Sequence, residues 1–99
     1  LSRYVVHGDP DLSDLIPGFL EHKRDDLAAI VKAVEDADYE TLAKFGHKIK
    51  GEGGSYGLDR ISEIGAAIDV AAKARDLAEV RELARQFADF LDNVEVVYD

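Results

Sequence analysis

Apolar residues recur at three- and four-residue intervals along most of this chain, the spacing of amphipathic helices. A first helix is predicted from about Asp14 to Asp36, with Leu15, Ile16, Phe19, Leu20, Leu27, Ile30, Val31 and Val34 on its inner side. Pro17 suits only the first turn, where its missing N–H has no intrahelical role, so the start falls near Ser13 or Asp14, both good cap residues. Asp36-Ala37-Asp38 reads as a turn and a cap. A second helix then starts near Tyr39, with Leu42, Phe45, Ile49 and Tyr56 inward. A third, from about Asp59 to Ala74, turns Ile61, Ile64, Ile68 and Ala72 to the core. A fourth follows Asp76, which makes a capping-box-like pair with Glu79. Its stripe is Leu77, Val80, Ala84, Phe87, Leu91 and Val94, flanked by Leu83, Phe90 and Val97. Ahead of these, residues 1–10 hold a short β-like patch, Tyr4-Val5-Val6, and read as an irregular arm. The pattern therefore predicts an all-α, antiparallel four-helix bundle over residues 11–99, preceded by a short N-terminal arm over 1–10.

The end of the second helix resists this reading. Gly51, Gly53, Gly54 and Gly57 fall close together. Each glycine inside a helix costs about 1 kcal/mol relative to Ala, so propensity alone makes the segment a loop.

Length and composition narrow the chemistry. A chain of 99 residues supports one domain with one modest core. With 46% apolar and 33% charged residues it reads as globular and ordered. The lack of Cys excludes disulfides, Cys-ligated metals and thiol nucleophiles. The net charge of −9 argues against nonspecific nucleic-acid binding and against docking on an anionic membrane. No apolar run approaches the ~18 residues of a membrane span, and no signal-peptide pattern opens the chain. It begins at Leu1 and has no Met, which we read as a processed chain or a piece of a longer protein. A cytoplasmic setting and a monomeric state are expected.

If the second helix continues through the glycines, the geometry around His47 becomes specific. At about 100° per residue, His47 lies roughly 160° from the centre of the apolar stripe and faces solvent. Gly51 and Gly54 share that face, one and two turns on, and Lys44 and Lys50 flank it. Between Thr41 and Gly51 there are three Lys and no acid, a positive patch on a strongly negative chain. An exposed imidazole among ammonium groups, with bare backbone beside it, is a site where an anion and a bulky partner can approach.

The run Gly46-His47-Lys48-Ile49-Lys50-Gly51-Glu52-Gly53-Gly54-Ser55-Tyr56-Gly57-Leu58 resembles the phosphoacceptor motif of the histidine phosphotransfer (HPt) family, H-x-x-K-G with a later glycine at the helix end. The likeness extends over most of the chain, and it departs only mildly at Gly46, where the family often has Ala. The resemblance implies that the helix does continue through the glycines, with Gly57 ending it and Leu58 as the following apolar contact. It implies that His47 accepts a phosphoryl group from the aspartyl phosphate of a receiver domain and that another receiver takes it away. Lys50, one turn on, would stabilise charge on the moving group. Lys44, Lys48, Gly51 and Gly54 would meet the docked partner. Asp69 occupies the place of an acidic residue common in the family's third helix, and reads here as a capping or inter-helix partner. No metal or nucleotide cofactor is implied for this chain. Magnesium would belong to the receiver, and the glycines lack the order of a phosphate-binding loop. The chain would then be a phosphoryl carrier without an ATP site of its own. Two other readings stand beside it: the phosphoaccepting domain of a chemotaxis-type sensor kinase, and a noncatalytic helical interaction module. His7 and His22 have no ligand spacing and read as surface residues.

Overall fold

The computed structural model of the chain describes residues 4–98. In chain order it contains β1 (Tyr4–His7), α1 (Ile16–Glu35), α2 (Tyr39–Glu52), α3 (Asp59–Lys73), α4 (Leu77–Asn93) and β2 (Val94–Val97). The four antiparallel helices form the expected bundle, and β1 lies within the N-terminal arm. Ile16, Ile30, Leu42, Ile49, Ile61, Ile64, Ile68, Val80 and Phe87 are wholly or almost wholly buried between the helices. No helix of the described residues is long and apolar enough to cross a membrane.

Two short turns set the bundle's connectivity. At the end of α1, Ala37 N–H donates to Val34 O and Asp38 N–H to Ala33 O, closing the helix with Ala37 at φ +50°. The end of α3 repeats this, with Arg75 N–H to Ala72 O, Asp76 N–H to Ala71 O and Arg75 at φ +55°. The same two aspartates then cap the next helices, Asp38 accepting from Thr41 N–H and Asp76 from Glu79 N–H, each at 3.1 Å. One residue thus finishes one helix and starts another, and the loops have no slack.

The structure departs from the pattern at both ends of the bundle. Neither Ser13 nor Asp14 caps α1. Pro10–Leu12 instead form a 3-10 turn capped by Asp9, the chain turns again, and α1 begins at Ile16 with Pro17 in its first turn. Leu15 and Val31, assigned inward by spacing, are exposed. The fourth helix stops at Asn93, short of Val94 and Val97, which belong to β2. Val94, Val96 and Val97 are β-branched and suit extended backbone. β2 pairs in parallel with β1, Tyr4 opposite Val94 and His7 opposite Val97. Tyr4 secures the arm, its ring 5.3 Å from that of Phe90 and its hydroxyl bonded to Asp89.

One helix crossing is tighter than the rest. A Cβ on Gly46 of α2 would fall 2.5 Å from the Asp69 backbone nitrogen. A Cβ on Gly65 of α3 would fall 2.5 Å from that of Lys50. The two backbones therefore touch on either side of His47's turn, and only glycine fits at either position.

Candidate functional site

The backbone of α2 follows the glycine-rich segment without breaking away from its helical path. The α-helix runs to Glu52, and Gly53–Tyr56 tighten into a 3-10 turn. Gly57 takes φ +72°, a left-handed conformation costly for residues with a Cβ. Gly57 N–H bonds to Gly54 O at 3.1 Å and Leu58 N–H to Gly53 O at 2.9 Å, while the Leu58 side chain is buried. Gly53 is bare because α3 lies against it: a Cβ there would sit 2.6 Å from the Ser62 backbone nitrogen. Ser62 Oγ also accepts from Gly54 N–H at 2.8 Å. The cost of the glycines is thus met by packing and side-chain bonds from α3, which local propensity does not contain.

His47 projects from this helix into solvent and has no hydrogen-bond or ion-pair partner among the described residues. Beside it, a Cβ on Gly51 would meet nothing within 4 Å, and one on Gly54 would meet only Ser62 Oγ at 3.9 Å. These two glycines are bare toward solvent, unlike Gly46, Gly53 and Gly65. Lys50 is exposed and likewise has no partner among the described residues.

The positive patch read from the sequence is smaller than its three lysines suggest. Lys44 faces Glu40 at 3.9 Å. Lys48 reaches back to α1, its Nζ 3.1 Å from Asp26 Oδ1 and 5.6 Å from the centre of the Phe45 ring. Lys50 is therefore the uncommitted ammonium of the three. Lys44, Phe45 and Lys48 together line a shallow depression of about 280 Å³ on the same stretch of α2.

Behind this surface lies a charge cluster that sequence reading missed. Lys23 of α1 is completely buried, with Nζ bonded to Asp26 Oδ2 and to Glu52 Oε1, both at 2.5 Å. Burial pushes the Asp26 carboxyl up, but hydrogen bonds and charges from Lys23 and Lys48 outweigh it and hold it below its ordinary range. A signal was present. Ile16, Phe19, Lys23, Asp26, Ile30 and Ala33 recur at alternating intervals of three and four, so the two charged residues occupy core positions of the α1 stripe. Asp69 is buried, its backbone lies against Gly46, and its carboxylate pairs with Lys73 of its own helix at 3.2 Å. It is thus neither a cap nor a bridge between helices. His22 is exposed on α1, remote in sequence from His47, and His7 is on β1. Among the described residues no group of three or more His, Asp or Glu could hold a metal ion.

Searches of curated proteins and of solved structures gave no match. A family model for the Hpt domain matches residues 14–96, a span that takes in all four helices and stops within β2. With most of its length matched and the bundle in place, the chain belongs to the Hpt domain family, the histidine phosphotransfer domains of phosphorelays.

Proposed function

We propose that this domain carries a phosphoryl group on His47, taking it from the aspartyl phosphate of one receiver domain and handing it to another. The observation that carries this reading is the exposed, unpartnered imidazole, with the uncommitted Lys50 one turn on and the bare surface of Gly51 and Gly54 beside it. The unprotonated ring nitrogen of a neutral imidazole attacks phosphorus. The N–P bond forms as the P–O bond to the receiver's carboxylate breaks, and that carboxylate leaves with the electron pair. The other ring nitrogen keeps its proton. Return transfer runs the same steps in reverse onto a second receiver.

Such a transfer needs positioning and charge stabilisation more than covalent help. Lys50 supplies a mobile positive charge for the oxygens of the moving group. Gly51 and Gly54 let the receiver's surface come close to the helix. Lys44 and the half-buried Phe45 extend the docking face, while Lys48 contributes chiefly its stem because its ammonium is held by Asp26. Magnesium, in this reading, would come with the receiver.

The test is incubation with a receiver domain charged by acetyl phosphate. The expected product is an acid-labile, base-stable adduct that His47→Gln abolishes, and ATP alone should give no labelling. A His47→Gln protein that is still labelled would overturn the assignment.

A further inference from the structure

We infer that Lys23, a residue of α1, is a positioning residue for His47 that acts by clamping the glycine-rich end of α2. The inference rests on the phosphotransfer reading above. A buried ammonium is costly unless it is paired and fully hydrogen-bonded, and an apolar side chain of similar size would fill the same stripe position at lower cost. What an apolar residue lacks is direction. The Lys23 Nζ bonds reach across the helix boundary to Glu52, at 2.5 Å, and share Asp26 with Lys48. Positions 48 and 52 are one helical turn apart, and that turn carries Lys50 and Gly51. It begins one residue after His47. The cluster therefore holds from behind, at two points, the turn that presents the site in front.

The need for a clamp follows from the sequence of that turn. From Gly51 through Gly54, Glu52 is the sole residue with a side chain. Glycine loses more conformational freedom on ordering than any other residue, so this segment is poorly held by its own propensity. Glu52 can tie it to α1 only if a cation waits there, and Lys23 is that cation. The charges balance, with two ammonium groups against two carboxylates. Phe19 closes the cluster on one side, its ring centre 5.2 Å from Lys23 Nζ while it stacks on Tyr56 of the 3-10 turn at 4.1 Å. The same α1 surface thus grips the end of α2 by charge and by ring stacking.

The experiment compares wild type, Glu52→Ala, Glu52→Gln and Lys23→Met. Glu52 is partly exposed, so its variants fold even where Lys23→Met does not. For Glu52→Ala, loss of one charge-assisted bond should speed amide exchange from Gly51 to Tyr56 about 10-fold and slow transfer at saturating charged receiver by a similar factor. Exchange in α3 and α4 should stay unchanged. Glu52→Gln keeps an acceptor for Lys23 and should recover most of both effects. Equal exchange and transfer in wild type and Glu52→Ala would overturn the inference. So would faster exchange with unchanged transfer, or a Gln variant no better than Ala. Failure of the phosphotransfer reading looks different: wild type itself then takes no label and behaves like His47→Gln.

Discussion

Lys50 and Gly54 carry opposite kinds of information about the site. In the proposed transfer Lys50 matters for what it has, an ammonium with no partner among the described residues. Lys50→Ala should slow phosphotransfer about 10–150-fold, the equivalent of one charge-assisted contact of about 1.5–3 kcal/mol. Its melting temperature should barely move, because an exposed and unpaired Lys contributes little to stability. Transfer at the wild-type rate with saturating receiver would reduce Lys50 to a solubilising charge. In the same proposal Gly54 matters for what it lacks. Its φ is not left-handed and the space above it is open, so Gly54→Ala should be neutral or stabilising by about 0.5 kcal/mol. Gly54→Leu should fold as well but obstruct the receiver. A raised or unchanged melting temperature with lost transfer is the expected pairing, read by thermal melts and a labelling assay on the same samples. Retained transfer in Gly54→Leu would show that the receiver does not dock there.

At the scale of elements, α2 and α3 act as a unit because their backbones touch at Gly46 and Gly65. Gly46→Ala ought to raise helix propensity, yet its Cβ would collide with α3 backbone. Overpacking costs about 1–3 kcal/mol, and because the obstacles are backbone atoms the upper part of that range applies, above the roughly 1 kcal/mol gained from propensity. We therefore expect a net loss of stability from a substitution that sequence statistics favour, measurable by urea denaturation. A more stable Gly46→Ala would mean that the helices separate easily there. The same pair explains how far the sequence was legible. Caps at Asp38 and Asp76 and the helical stripes are local patterns, and they were readable. The closeness of Gly46 to Gly65 is a fact about two helices, and neither glycine announces its partner. Val94 and Val97 misled because they extend the α4 spacing by coincidence, while pairing with Tyr4–His7 at the far end of the chain decides their conformation. Lys23 and Asp26 stand in the α1 stripe, but charged residues are so seldom buried that spacing alone does not assign them to the core. His47, Lys50 and the outward glycines could be placed on one face from helical geometry, once the resemblance had carried the helix through a segment that propensity would break. That Lys48 is tied to Asp26 required the neighbouring helix.

The whole molecule carries −9, and its ionic cluster must be understood against that excess. Asp26 has a depressed folded pKa, so its contribution to stability is fully present above its ordinary value of 3.8 and is lost as pH falls through the folded value. Relief of general repulsion works the other way, since protonation of surface carboxylates lowers the net charge. Urea denaturation at a series of pH values should therefore show stability held or slightly raised down to about pH 5 and a steep fall below about pH 4. Asp26→Asn should be less stable than wild type at neutral pH and should lose part of that low-pH slope. An unchanged slope would mean that Asp26 keeps its ionic partners in the unfolded chain.

The contact between Gly46 and Gly65 also bears on which way a signal runs. With α2 seated on α3 backbone, the imidazole of the proposed relay would meet donor and acceptor at the same place on the surface. A carrier whose acceptor helix stays so seated would store no ratchet, because giving and taking the phosphoryl group would use the same shape. For the proposed relay, the direction of flux is then a matter of thermodynamics outside the domain, set by the relative free energies of the two receivers' aspartyl phosphates and by how fast each is hydrolysed. The traffic through His47 would reverse whenever that balance does.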